Sequence, residues 1–255
     1  MTRSVVVHPD ADLLAQATAA RLLLRLLDLQ SVRRPVHVVL TGGTVGIKTL
    51  AAVADSPLRA AVDWSGVHLW WGDERFLPEG HPDRNETQAR QALLDPLGDA
   101  LPQENVHPMA CADGTTLTPD DSAVRYCDEL ATFADPGTPP GAVAVPAFDV
   151  LLLGVGPDGH VASLFPGHEG LEAGGTGAVG VYRCPKPPPE RVTLTYDAIH
   201  AAREVWLVAA GAEKAAAVGS ALAGDPVEKT PAAGAAGTER TLWLLDAAAA
   251  GVVEA

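Results

Sequence analysis

Residues 148–160 read FDVLLLGVGPDGH, an apolar run from Phe148 to Val155 that opens on Gly156-Pro157-Asp158-Gly159-His160. A nearly continuous apolar run suits a strand covered on both faces, as in a parallel sheet. In open α/β sheets ligands gather beyond the carboxyl ends of such strands. A Gly-rich polar turn in that place therefore marks a candidate site.

Working outward, the same pattern of strand and polar turn recurs twice. Val36 to Leu40 runs into Thr41-Gly42-Gly43-Thr44, and Val67 to Trp71 ends in Gly72-Asp73-Glu74-Arg75. Upstream, residues 4–8 read as a short strand. From Asp10, a suitable N-cap, Leu13, Leu14, Ala17, Leu24 and Leu27 recur at helical spacing. Helices are predicted from Thr44 to about Val53, over 85–94 and over 120–132. Residues 134–146, rich in Pro, Gly and Ala, read as a surface connection, and 167–189 as irregular. Strands over 191–196, 204–209 and 241–245 follow, with a helical turn after the first and a helix over 212–222. This alternation predicts an α/β fold, a Rossmann-like, mainly parallel sheet with helices on both faces. No break resembles an interdomain linker, so residues 1–255 read as a single domain.

Composition narrows the function classes. A formal net charge of −14 argues against non-specific binding to nucleic acid or to an anionic membrane, which need basic surface. The apolar run at residues 5–7 is too short for a signal-peptide core, and no later run approaches a membrane span, so a cytoplasmic protein is expected. Cys111, Cys127 and Cys184 are few, odd in number and lack CxxC spacing, which fits a reducing compartment. The eight histidines lack HxxxH spacing, so no metal site is expected.

Each motif admits two readings. Thr41-Gly42-Gly43-Thr44 can cradle a phosphate on free backbone N–H groups at a helix N-terminus, or serve only as a tight strand-to-helix turn. It is not a P-loop, because Ile47 separates Gly46 from Lys48. Gly154-Val155-Gly156-Pro157-Asp158-Gly159 matches G-x-G-x-x-G, but Pro166 and Gly167 cut short the helix that dinucleotide binding requires. His160 can act as a general base near neutral pH, or merely fix its loop. Asp73 or Arg75 faces a cleft, with Asn85 shaping the loop, or the group forms a surface ion-pair cluster. Trp70 and Trp71 read as packing residues. Lys186, Arg191 and Lys214 begin late elements. A cation in a first helical turn, as at Lys214, opposes the helix dipole unless an anion sits there, though an exposed lysine costs little.

Taken together, these residues resemble the 6-phosphogluconolactonases, within the larger group that includes glucosamine-6-phosphate deaminases. The resemblance runs from about Pro9 to Ala249. It is most specific at residues 154–167 (GVGPDGHVASLFPG) and 71–75 (WGDER), with 185–195, 211–215 and 243–246 also typical. One departure is Val45-Gly46, where members often carry a proline after Gly-Gly-Ser/Thr. The resemblance implies that His160 is the catalytic base and that Thr41, Gly42, Gly43 and Thr44 cradle the phosphate. Arg191 and Lys214 align with phosphate-binding cations, Arg75 and Lys186 with polar residues of the cleft, and Asp73 with the base of the deaminases. Asp158, next to His160, belongs to the same constellation. The implied partner is a sugar-phosphate lactone, with no metal or organic cofactor, in a monomer or a dimer.

Two alternatives fit less well. The deaminases read Asn-Glu-Pro in the region of Ser163-Leu164-Phe165-Pro166, and the carboxylate supporting their ring-opening histidine is missing here. A sugar-phosphate-sensing regulator needs an N-terminal DNA-binding helix pair, whereas a strand begins at Ser4, and the charge opposes DNA binding.

Overall fold

The strands are β1 (Thr2–His8), β2 (Val36–Leu40), β3 (Val67–Trp71), β4 (Asp73–Arg75) and β5 (Val150–Gly154), then β6 (Ala178–Val181), β7 (Arg191–Leu194), β8 (Glu204–Ala209) and β9 (Arg240–Asp246). The helices are α1 (Ala11–Gln30), α2 (Gly43–Asp55), α3 (Asn85–Ala89, continued by a π turn over Arg90–Leu94), α4 (Pro119–Thr132), α5 (Tyr196–His200) and α6 (Ala215–Ala223). This computed structural model describes residues 2–139 and 141–251. Pro140, inside the expected connection at 134–146, lies outside the described residues, as do Met1 and 252–255.

Six strands pair in parallel in the order β1-β9-β8-β5-β2-β3. Alternation along each strand divides the core between the two faces. Val36, Val38 and Leu40 pack with α1 and α2, whereas Val39 joins Leu151, Leu153, Tyr126 and Leu130 on the other face. Both faces are thus covered, which explains why β5 is apolar at every position but its last. The order also creates a switch point: from β2 the chain moves outward to β3, and β5 lies on the opposite side of β2. A crevice opens at the carboxyl ends of strands that part in this way. There the Gly154 N–H donates to Thr41 Oγ1 at 3.1 Å, tying the end of β5 to the end of β2.

Asp10 caps α1 as expected, accepting from the Asp12 and Leu13 N–H groups at 3.0 and 2.8 Å. The buried stripe of α1 differs from the expected one. Leu14, Thr18, Leu22, Leu26 and Leu29 face the core, while Leu13 and Leu24 are about half exposed. Leucines surround this helix, so leucine spacing alone does not identify the inner face. Thr18 disguises the stripe, and it is accommodated by donating its hydroxyl to Leu14 O at 2.7 Å. Each fully buried leucine contributes about 2 kcal/mol of transfer free energy.

The strand expected over 191–196 does not join the main sheet. β4, β7 and β6 instead form a separate three-stranded antiparallel sheet. Asp73 pairs with Thr193 and Arg75 with Arg191, so the polar turn expected after β3 is itself a strand. The region 167–189, expected to be irregular, contains β6. Charged residues in β4 and glycines around β6 hide both strands, which pairing with β7 stabilises. The free edge of β3 is covered too: the Tyr126 hydroxyl accepts from Trp71 N–H at 2.9 Å and donates to Trp71 O at 3.1 Å.

Candidate active site

A cavity of about 400 Å³ opens at the carboxyl ends of β2 and β5. Thr41, Gly42, Gly43 and Thr44 form one wall, Asp73, Arg75 and Arg191 a second, and His160 and Lys214 complete it. Asp158 and Lys186 stand behind the imidazole rather than on the cavity wall. Nine of the expected site residues are therefore gathered in one place, and the other two touch one of the nine.

The first wall follows from local backbone chemistry. Gly42 is the N-cap of α2 and makes no side-chain cap bond, so N–H groups of the first turn remain free toward the cavity. A β-carbon on Gly42 would lie 1.9 Å from Asn85 Oδ1, so only glycine lets the loop pass this side chain. Gly46 sits so close to Thr41 O that a β-carbon would approach it to 2.7 Å.

His160 is held by two oppositely behaved neighbours. Its Nδ1 is 2.5 Å from Asp158 Oδ1, and Lys186 Nζ is 3.1 Å from the same oxygen and 3.3 Å from Nδ1. The carboxylate, the nearer neighbour, can only accept, so Nδ1 carries its proton toward Asp158 and the Lys186 ammonium donates to the same carboxylate. The lone pair is then on Nε2, the nitrogen a general base needs. Burial pushes the Asp158 carboxyl up, but the hydrogen bonds and charges of His160 and Lys186 outweigh it and hold the group well below the usual carboxylate range. Asp158 thus stays ionised and keeps the tautomer fixed. Gly156 makes room for the ring: a β-carbon there would meet His160 Nδ1 at 2.0 Å.

The second wall is organised by Glu74. Its carboxylate accepts from the N–H groups of Arg75, Asn85 and Glu86 at 2.8, 2.7 and 2.9 Å, locking β4 to the first turn of α3. Burial pushes this carboxyl up to about 7, against the pull of Arg84 and the three N–H donors. Arg75 Nη1 donates to Asp83 O at 2.6 Å, whereas its Nε is buried without a partner among the described residues. Asn85 donates to Asp73 O at 2.8 Å, and its Oδ1 is likewise unpartnered. Buried polar atoms are rarely left so, and both side chains line the cavity. Arg191, by contrast, spends donors on the carbonyls of Lys186, Pro187 and Pro188 at 3.0 to 3.1 Å and reaches the site mainly through Nη1.

At the far end Lys214 closes a short 3-10 turn leading into α6. Burial, reinforced by Lys186, pulls its ammonium pKa down, against the attraction of Glu213. Asp246 fixes the preceding loop by accepting the Gly211 N–H on both oxygens at 3.1 Å.

Three charged lining residues, Lys48, Glu213 and Asp246, were not among the expected site residues. Lys48, paired with Asp12 at 2.6 Å, reaches the cavity rim, and its position one helical turn after Thr44 was a usable signal. Glu213 and Asp246 stand in the stretches 211–215 and 243–246 that carry the family resemblance, which was the signal available for them. Among the described residues no group of three or more His, Cys, Asp or Glu is placed to hold a metal ion. No helix among them is long and apolar enough to cross a membrane.

Residues 9–243 match the family described as glucosamine-6-phosphate isomerases/6-phosphogluconolactonase. A 6-phosphogluconolactonase of Streptomyces coelicolor is 55% identical over 250 residues, covering 98% of this chain and 94% of the relative. One of Mycobacterium tuberculosis is 45% identical over 252 residues, covering 98% of each. Among solved structures, 6-phosphogluconolactonase from Trypanosoma brucei matches with a TM-score of 0.83 at 28% identity over 99% of both chains. A monomeric glucosamine-6-phosphate deaminase, 17% identical with a TM-score of 0.76 over 99% of this chain and 100% of its own, shares the fold. With two full-length relatives well above 40% identity and a family match spanning most of its length, the chain belongs to the glucosamine-6-phosphate isomerase/6-phosphogluconolactonase family.

Proposed function

We propose that this chain, acting as a single domain in the cytoplasm, hydrolyses 6-phospho-D-glucono-1,5-lactone to 6-phosphogluconate in the oxidative pentose phosphate pathway, with His160 as general base. The observation that supports this most strongly is the imidazole on the cavity wall, its Nδ1 held by Asp158 and its Nε2 left with the lone pair.

In this reading Nε2 takes a proton from water as the oxygen attacks C1 of the lactone. The C1 carbonyl becomes an oxyanion, which preorganised donors stabilise. Arg75, which lines the cavity, is a candidate donor, and the backbone N–H groups of Asp158 and His160 are others. The C1–ring oxygen bond then breaks, and the imidazolium returns its proton to the leaving oxygen. The phosphate rests on the first turn of α2 at 41–44, with Lys214 and Arg191 supplying positive charge. Binding energy at this remote group holds C1 in line with the water. Local neutralisation of the phosphate also reconciles an acidic protein with an anionic substrate.

The test is a coupled assay in the presence of EDTA, in which glucose-6-phosphate dehydrogenase generates the lactone in situ. The expected result is lactone disappearance far above the spontaneous rate, abolished in His160→Ala while phosphosugar binding stays within a few-fold. Full turnover by His160→Ala would remove the assigned base. No acceleration by the wild-type protein would remove the enzymatic reading.

A further inference from the structure

Two residues beyond His160, the backbone of Ala162 has φ +49°, in the left-handed region that disfavours any residue with a β-carbon. Elsewhere in this stretch the chain uses glycine for such turns, at Gly159 (φ +81°) and Gly167 (φ +61°). At 162 it does not, and the alanine lines the cavity. A residue persists in such a conformation only where its surroundings impose it. Ala162 lies in a tight turn closed by the Leu164 N–H on Val161 O at 2.9 Å, and the residue after it anchors that turn.

We propose that Ser163 is a positioning residue for His160: by fastening the loop to the small antiparallel sheet at two points, it holds Ala162 in the left-handed conformation and the imidazole in register with the cavity. This rests on the reading of His160 as the general base. Ser163 is fully buried. Its N–H donates to Thr193 Oγ1 at 3.2 Å and its hydroxyl to Asp73 Oδ2 at 2.6 Å. Thr193 and Asp73 are direct partners across β7 and β4, so both anchors belong to one rung of a hydrogen-bonded ladder. Arg191 Nη1, from two rungs along the same ladder, approaches Ser163 Oγ at 3.4 Å and Asp73 Oδ2 at 4.0 Å.

The other end of the segment is equally restrained. Val161 is fully buried and bridges to Val155 and Leu164, and the Gly156 N–H donates to His160 O at 2.9 Å. Between these fixed points only Ala162 can absorb a change. Freed from Ser163, it would relax toward an ordinary φ, and the displacement would fall on the peptide of His160. Asp73 acquires a definite role in the same arrangement. One oxygen receives Ser163 and the other the Asn85 amide at 3.3 Å, so it anchors the loop instead of accepting a proton from substrate.

The experiment compares Ser163→Ala, Ala162→Gly and the double variant in the lactone assay, with melting temperatures measured alongside. Ser163→Ala is expected to lose about 10- to 100-fold in kcat, the penalty of an ångström-scale misplacement, with KM within twofold. Glycine at 162 removes the conformational preference that drives relaxation, so the double variant should regain at least fivefold of the lost kcat. A merely structural serine predicts no such rescue. Wild-type kcat in Ser163→Ala, or a double variant no faster than it, overturns the proposal. Should Ser163→Ala fail to fold, Ala162→Gly alone decides. A melting temperature at or above wild type with kcat within twofold supports imposed strain, and a marked drop refutes it. Turnover by His160→Ala sinks the general-base reading instead, whereas an inactive His160→Ala beside a fully active Ser163→Ala sinks only the role of Ser163.

Discussion

The α-carbon of Gly156 faces the His160 imidazole so closely that a β-carbon would lie 2.0 Å from Nδ1 and 2.5 Å from Asp158 Oδ1. The glycine is thus part of the geometry that lets imidazole and carboxylate meet, although it contributes no side chain. Gly156→Ala should push the ring off Asp158 and lower kcat by at least 100-fold. The fold should change little, because the displaced groups are loop side chains at the cavity. Steady-state kinetics beside a thermal melt checks this, and a variant with normal kcat contradicts the contact.

Lys214 is expected to act on binding rather than chemistry. Removing one charge-assisted contact to a phosphate costs about 1.5–3 kcal/mol, equivalent to roughly 10- to 150-fold. Lys214→Met should therefore raise KM by about that factor and leave kcat within twofold, the pattern of lost uniform binding. A fall in kcat at unchanged KM would place Lys214 at the reacting centre.

Acid should destabilise the protein through histidines far from the cavity. Burial, with His68 and His107 adding to it, pulls the His37 pKa down to about 3, and burial with His107 pulls His68 down to about 4. Trp70 Nε1–H donates to His37 Nδ1 at 3.1 Å, which requires that nitrogen unprotonated. The folded state binds fewer protons here than the unfolded chain, whose histidines titrate near 6.5. Stability is therefore complete above about pH 6.5 and falls as pH drops toward 3 to 4. His37 contributes up to about 1.4 kcal/mol per pH unit, and half-exposed His68 less. Melting temperatures from pH 7 to pH 4 should show this slope, and His37→Asn, whose amide oxygen can accept from Trp70, should flatten it.

Tyr126→Phe tests how the edge of the main sheet is closed. The hydroxyl serves both the N–H and the C=O of Trp71, and its loss leaves two buried backbone groups without a partner. The expected cost is about 1–3 kcal/mol, a drop of roughly 2–12 °C in melting temperature for a chain of this size. An unchanged melt would mean that water reaches this edge.

Much of this molecule was legible in its residues. Apolar runs such as 150–154 specify strands covered on both faces, and helical spacing with an Asp10 cap specifies α1. Glycines after β2 and β5 mark where backbone must pass close to something else. These signals are local, because propensity, capping and period act within a few residues. The facing of α1 was less legible, since leucines on every side leave the buried stripe to be chosen by what packs against it.

Other features exist only through tertiary pairing. Asp73-Glu74-Arg75 has no strand pattern of its own, and it becomes one because β7 lies beside it. That small sheet decides what Asp73 and Arg191 touch: both line the cavity, while Asp73 also anchors Ser163 and Arg191 also holds the 186–188 loop. Lys186, 26 residues from His160, reaches the back of its imidazole only through the fold. Which residues are candidates for the chemistry was legible from type and spacing along the chain. Which atoms of them are free to perform it depends on hydrogen-bond partners brought from distant segments, and only the tertiary structure supplies those.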